Sequence, residues 1–136
     1  MTFIADASVA AAWVLPDEEA AIADLALERL GEEPAKVPNV FWDELRNLLL
    51  SAEHRGRINA RHADVSMARL RRLRIQRMGE TDDRDDSAVM ALARTYHLTA
   101  YDASYLALAI REGCALASLD RRLNEAAVAE GVPPFA

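Results

Sequence analysis

Two short apolar runs, one near each end of the sequence, stop directly at an aspartate. Residues 2–5 are followed by Asp6, and residues 115–119 are followed by Asp120. Apolar runs of this length are typical of strands that are buried on both faces of a sheet. Asp is also a favoured N-cap, so a helix is expected to begin just after each run. The pattern predicts strands of a parallel sheet that are joined through helices.

Helices are predicted to occupy most of the sequence. The 17 leucines outnumber the 13 valines and isoleucines, which favours helix over strand. Two more short strands are predicted at residues 35–38, where a linker is the alternative, and at residues 73–78. We expect one α/β domain over residues 1–136. Apolar periodicity predicts seven helices, at residues 8–15, 17–30, 40–55, 59–73, 83–97, 101–112 and 123–130. In the second of them, Asp17 and Glu18 would lie in the first turn, where the helix dipole favours acids.

Cysteine usage and the first residues limit the class of protein. The single cysteine, Cys114, excludes an internal disulfide framework and an all-cysteine metal site. The N-terminus has no basic segment and reaches Asp6 before any apolar stretch develops. No uncharged run near it approaches the roughly 20 residues that a membrane span needs. We therefore expect a soluble, cytoplasmic protein with no membrane partner.

The net charge of −6 is unevenly distributed. Residues 1–53 carry a net charge of −8, residues 54–78 carry +7, and residues 79–136 carry −5. An acidic protein usually avoids nucleic acid, because phosphate contacts need cations. The middle segment, with eight arginines that include Arg69 and Arg72, keeps a nucleic-acid partner open. A solvated helix face is the alternative explanation for the same arginines.

Two acids lie where apolar side chains are expected. On a helical wheel, Asp102 falls on the apolar stripe of its predicted helix, in line with Leu106 and Ile110. A carboxylate without a partner is costly to bury there, although a capping box with Thr99 is an alternative explanation. Glu44 lies at the edge of the apolar face of its own predicted helix, where extension of its head group to solvent is the alternative.

Four acids are therefore candidates for a common site if they converge in the fold. Two of them are expected at the carboxyl ends of strands, where open parallel sheets bind ligands. A set of carboxylate oxygens without cysteine or histidine selects Mg²⁺ or Mn²⁺ over zinc. Such a site activates water or stabilises charge in phosphoryl transfer. The four acids are Asp6, Glu44, Asp102 and Asp120. The three histidines, His54, His62 and His97, are dispersed in the sequence and lack the spacing of metal ligands.

Three stretches of the sequence carry a family resemblance. They are residues 98–109 (LTAYDASYLALA), residues 115–123 (ALASLDRRL) and residues 4–8 (IADAS). Together with Glu44 they closely resemble the PIN-domain ribonuclease toxins of the VapC type, from the VapBC toxin–antitoxin family. The resemblance is weakest between residues 54 and 80.

The resemblance implies a PIN-like three-layer α/β/α fold with a short central parallel sheet flanked by helices. It implies a metal-dependent endoribonuclease that hydrolyses RNA phosphodiester bonds with Mg²⁺ or Mn²⁺. It also implies a homodimer and a cognate small antitoxin that blocks the site. Arg69 and Arg72 become candidate contacts to either RNA or the antitoxin. By resemblance, the family's acidic quartet corresponds to Asp6, Glu44, Asp102 and Asp120. The hydroxyls of Ser8 and Ser118 are expected to support these acids. The family often has Thr at the position of Ser118.

Three other functions fit parts of the sequence. A phospho-accepting receiver domain also combines a small α/β fold with a magnesium site, but it relies on a lysine near the late strands. The only lysine here is Lys36, early in the chain. A non-catalytic PIN-like binding domain and a PIN nuclease of RNA maturation, not paired with an antitoxin, remain open. A small overlapping open reading frame would favour the toxin.

Overall fold

The predicted order of helices and strands agrees with the observed order. The protein is described by a computed structural model that covers residues 2–18, 20–79 and 83–136. The strands are β1 (Phe3–Ala5), β2 (Ala35–Val37), β3 (Ile75–Arg77) and β4 (Leu116–Ala117). The helices are α1 (Ala7–Val14), α2 (Ala21–Leu30), α3 (Phe41–His54), α4 (Ala60–Arg71), α5 (Asp83–Tyr96), α6 (Ala100–Glu112) and α7 (Arg121–Ala129).

The four strands form one parallel sheet in the order β3-β2-β1-β4. In the centre of the sheet, Ile4 is in register with Lys36 on β2 and with Leu116 on β4. The backbone N–H of Asp6 donates to the carbonyl of Ala117 at 3.1 Å, just beyond the last paired residues. Because the strands are parallel, the residues that follow β1 and β4 lie side by side at one edge of the sheet.

Helices cover both faces of this sheet. Successive side chains of a strand point to opposite faces, and accordingly Ile4 belongs to one buried cluster while Phe3 and Ala5 belong to the other. The first cluster includes side chains of α3, α6 and α7, and the second includes side chains of α2. The fold is thus the predicted three-layer α/β/α arrangement around a short parallel sheet, which confirms the fold class.

The predicted start of the second helix is wrong. We expected it to begin at Asp17, but α2 begins at Ala21, and the acids at positions 17 and 18 precede it. Arg57 binds Asp17 through two hydrogen bonds, at 2.5 and 3.1 Å, and approaches Glu18 at 3.5 Å. The guanidinium in the loop after α3 thus gives these carboxylates a direct partner outside the helix, in place of the helix dipole. In the described residues, no helix combines the length and the apolar character needed to cross a membrane.

Candidate active site

A cavity of about 490 Å³ opens at the carboxyl edge of the sheet. Each of the four predicted acids reaches it from a different element. Asp6 follows β1 and caps α1, and Asp120 follows β4 and caps α7. Glu44 and Asp102 lie in the first turns of α3 and α6. Four helix N-termini therefore meet at this cavity, and their dipoles partly offset the negative charge that collects there.

Asp6 is the most deeply held of the four acids, with 5% of its surface exposed. Its Oδ1 accepts the backbone N–H of Val9 at 3.1 Å and the hydroxyl of Ser8. Its Oδ2 accepts the hydroxyl of Ser118. Burial raises the pKa of Asp6, these hydrogen bonds oppose the rise, and the charge of Asp102 adds to it. Asp6 is therefore both an N-cap and a wall of the cavity, so its structural role does not exclude a functional one.

Ser118 connects two of the acids. Its hydroxyl donates to Asp6 and accepts the backbone N–H of Asp120 at 2.9 Å, while its carbonyl accepts the side-chain amide of Asn124, also at 2.9 Å. Asp120 in turn caps α7 by accepting the N–H of Leu123 at 3.0 Å. The two hydroxyls predicted to support the site, those of Ser8 and Ser118, thus both contact Asp6.

Asp102 combines the two explanations that the sequence left open. Thr99 caps α6 by accepting the backbone N–H of Asp102 at 3.1 Å, which is one half of a capping box. The carboxyl group nevertheless lines the cavity in a half-buried position. Burial raises the pKa of Asp102, the charge of Asp120 raises it further, and the contact with Thr99 lowers it. Ile110, which we predicted on the same buried stripe, is instead 42% exposed.

Glu44 has a partner that the sequence analysis did not anticipate. The hydroxyl of Tyr105, which is almost fully buried, donates to Glu44 Oε1 at 2.8 Å. Burial raises the pKa of Glu44, the Tyr105 hydrogen bond lowers it, and the charges of Asp102 and Asp6 raise it. The sequence signal for Tyr105 was its place on the apolar face of α6, three residues after Asp102. A buried tyrosine hydroxyl needs a polar partner, and this need could have pointed to an acid on a neighbouring helix.

Further residues of α3 and α6 complete the wall of the cavity. On the wheel of α3, Asp43 and Asn47 lie farther from the apolar face than Glu44 does, yet both line the cavity. Asp43 also pairs with Arg46. Leu48 and Tyr101 add an apolar and aromatic side to the same cavity, and Tyr101 is 58% exposed.

The donor set fits a hard divalent cation. No group of three or more His, Cys, Asp or Glu side chains within the described residues is arranged to hold a metal ion as it stands. Mg²⁺ usually keeps several of its waters and takes only one or two protein carboxylates, and the cavity provides the volume for such a hydrated ion. The pKa values of Asp6, Glu44 and Asp102 are all raised, with burial as the first cause. A cation would relieve the cost of keeping these carboxylates ionised.

The predicted arginines are not part of this cavity. Arg69 and Arg72 are both exposed, at the end of α4 and just after it. Arg69 lines a separate concave surface together with Arg61 and His62. The structure thus brings together the four acids and the two serines but leaves these arginines apart from them.

If the chain is the ribonuclease that the sequence resemblance implies, replacing Ser118 by alanine is expected to lower RNA cleavage at neutral pH by about tenfold. The change removes a hydrogen bond that lowers the pKa of Asp6, so this pKa rises further and a larger fraction of Asp6 is protonated. The acid limb of the pH–rate profile should therefore move to higher pH. Ser118→Thr retains the hydroxyl and is the matched control, with a profile close to wild type. Identical acid limbs for all three proteins would exclude a positioning role for Ser118.

Comparisons with known proteins agree with this fold. The model of the PIN domain family, whose members are nucleases, matches residues 3–129. Among solved structures, PAE2754 from Pyrobaculum aerophilum is similar with a TM-score of 0.65 at 24% identity, over 93% of this chain and 84% of that one. VapC20 from Mycobacterium tuberculosis, a toxin that cleaves the sarcin–ricin loop, is similar with a TM-score of 0.63 at 21% identity, over 93% of this chain and 95% of that one. A search of curated proteins found no match. Because the family model covers nearly the whole sequence, the chain belongs to the PIN domain family.

Proposed function

We propose that this protein is an Mg²⁺- or Mn²⁺-dependent endoribonuclease and the toxin of a type II toxin–antitoxin pair. The observation that carries the proposal is the convergence of four carboxylates on one open cavity in a PIN domain. The mutual repulsion of these carboxylates, and the raised pKa values of Asp6, Glu44 and Asp102, are costs that a structural role alone would not require. The four acids, Asp6, Glu44, Asp102 and Asp120, are proposed as both the catalytic and the metal-binding residues.

The metal ion, when bound, would supply charge neutralisation at the phosphodiester and lower the pKa of a bound water. Asp6 and Asp102 are proposed as its principal ligands. Asp6 is oriented by two serine hydroxyls, which restrict its rotation before any ligand arrives. Glu44 and Asp120 would complete the set and orient the attacking water. Tyr105 fixes Glu44 through Oε1, and the second oxygen of Glu44 would accept a proton from that water.

The toxin assignment is supported by the similarity to VapC20, which is described as a toxin that cleaves the sarcin–ricin loop. It is also supported by the sequence motifs around Asp6, Asp102 and Asp120. The expected partners are an RNA substrate, a cognate small antitoxin that covers the cavity, and a second copy of the chain in a homodimer. We further propose that residues 1–136 form a single PIN domain that acts in the cytoplasm.

The alternatives are distinguished by observations on the same cavity. A receiver domain would need a lysine beside its acids, but Lys36 does not line the cavity and pairs with Glu112 at 2.6 Å. A PIN nuclease of RNA maturation would cleave RNA without a dedicated inhibitor. A non-catalytic PIN domain would bind RNA or protein without cleaving either.

Purification with and without the neighbouring small protein, followed by RNA cleavage assays, tests the proposal. We expect cleavage of RNA by the isolated chain with Mg²⁺ or Mn²⁺, no cleavage in EDTA, and inhibition by the small partner. Cleavage without any inhibition by a co-purifying partner would favour the RNA-maturation nuclease. Absence of cleavage by folded protein in both metals would contradict the enzymatic proposal.

Charge reversal at Arg69 and Arg72 tests whether the arginine-rich segment contacts RNA. If both arginines contact phosphates, the double variant R69E/R72E should reduce the slope of log affinity against log salt by about 1.4 for single-stranded RNA. Binding is measured by fluorescence anisotropy over a salt titration. An unchanged slope together with lost binding of the small partner would assign the segment to the antitoxin. If neither changes, the two arginines belong to a solvated helix face.

A further inference from the structure

A second cavity, of about 360 Å³, adjoins the first. The two share Asp102 and Asp120 as a common wall. The remaining wall of the second cavity contains the exposed side chains of His97, Arg121 and Arg122. We call it the arginine cavity. An acidic centre therefore lies directly beside a basic one, within a segment of the chain whose net charge is negative.

The two arginines of this cavity are held loosely and remain available to a ligand. Arg122 donates to the backbone carbonyl of His97 at 3.2 Å. Arg121 pairs with Glu125 at 3.0 Å, but 92% and 64% of the two side chains are exposed, and such surface pairs contribute little. Among the described residues, no ion pair joins either arginine to Asp102 or Asp120, although all four line the same cavity. The guanidinium groups of Arg121 and Arg122 are thus not paired with the two acids of the shared wall.

The two cavities differ in what they can bind. The first has carboxylates together with an apolar and aromatic side formed by Leu48 and Tyr101. The arginine cavity has guanidinium groups, whose planar donors match the oxygens of a phosphate. A single nucleic-acid strand that has one phosphodiester at the four acids and crosses the shared acidic wall would bring its backbone to the arginines.

We propose that the arginine cavity binds the backbone phosphate that flanks the cleaved phosphodiester, with Arg121 and Arg122 as its contacts. This inference rests on the proposed ribonuclease function and adds a substrate subsite to it. It also differs from a phosphate-binding role of Arg69 and Arg72, since these two arginines line neither cavity. The subsite would determine how firmly the strand is held next to the reacting bond.

The test measures affinity and salt dependence separately from cleavage. The probe is a fluorescein-labelled single-stranded RNA of mixed sequence, about 12 nucleotides long. Binding is followed by anisotropy with Mg²⁺ in a Glu44→Gln background, because Glu44 does not line the arginine cavity and its loss should prevent cleavage of the probe. Arg121→Gln and Arg122→Gln should each weaken binding about tenfold at low salt. Each should also reduce the salt slope by about 0.7.

Two controls separate a phosphate contact from a structural effect. Arg94→Gln removes the same charge from an exposed position of α5 that lines neither cavity, and it should leave affinity and slope unchanged. Arg122→Lys retains the charge and should restore the slope. If the slopes of both glutamine variants equal that of Arg94→Gln while the wild-type chain cleaves the same RNA, the subsite is wrong and the ribonuclease function stands. If the wild-type chain neither binds nor cleaves RNA, the proposed function fails, and the subsite fails with it.

Discussion

Replacing Asp102 by asparagine is expected to lower the rate of RNA cleavage by about 100-fold or more. The substitution retains the shape of the side chain and the backbone cap with Thr99, but it removes one negative charge from the proposed metal-binding set. A loss of about 3 kcal/mol of transition-state stabilisation corresponds to such a factor. The measurement is kcat/KM on a labelled RNA with saturating Mn²⁺.

The matched control for this experiment is Asp24→Asn. Asp24 lies in the first turn of α2 and is exposed, and it is not among the residues that line the active-site cavity. Its variant should cleave at the wild-type rate. Equal rates for Asp102→Asn and the wild-type protein would show that Asp102 is not a metal ligand, and the capping box with Thr99 would then be its main role.

Excess Mn²⁺ is expected to raise the melting temperature of the wild-type protein by about 10 °C. A ligand that binds only the folded state contributes about 2.7 kcal/mol at a hundredfold excess over its Kd, and a domain of this size converts that into a shift of this order. Asp102→Asn should melt at a higher temperature than the wild type in EDTA, because it removes repulsion from Asp120 and Asp6. It should also gain less from Mn²⁺.

The pH dependence of the same experiment gives a second readout. The folded-state pKa of Asp102 is raised above its ordinary value of 3.8. At pH values just above 3.8, the folded protein therefore binds more protons than the unfolded chain does. Ionisation of Asp102 therefore costs stability as the pH rises through this range. The advantage of Asp102→Asn in EDTA should be present near pH 7 and should shrink as the pH falls towards 4. Equal melting of both proteins in EDTA and an equal response to Mn²⁺ would contradict an acidic metal cluster.

Local signals in the sequence were sufficient for most of the fold. The apolar runs before Asp6 and Asp120 became β1 and β4, because a short buried strand needs little more than its own apolar side chains. The predicted helices occur in the predicted order, because apolar periodicity and caps act within a few turns of the chain. The start of α2 was the exception. Arg57, 40 residues away, took Asp17 as its partner, and no local rule anticipates such a contact.

The candidate site likewise contains residues that local sequence predicts and contacts that only distant parts of the chain create. Asp6 and Asp120 could be selected as candidate site residues because each follows a strand. Asp102 could be selected because it interrupts an apolar stripe. The need of Tyr105 for a polar partner could be inferred from its place on the apolar face of α6, but Glu44 could not be named as that partner, because the contact joins α6 to α3 across 61 positions of sequence. The separation of Arg69 and Arg72 from the cavity could not be predicted either, since charge composition carries no direction in space.

Local sequence was enough to predict the order of the elements and to select the acids at strand ends and on the apolar sides of helices as candidates. Their meeting at one cavity was decided by the tertiary structure. The parallel order β3-β2-β1-β4 brings the ends of β1 and β4 to one edge of the sheet, and the packing of α3 and α6 brings Glu44 and Asp102 to the same edge. Apolar burial selects the arrangement of whole elements, and the positions of the polar side chains follow from that arrangement.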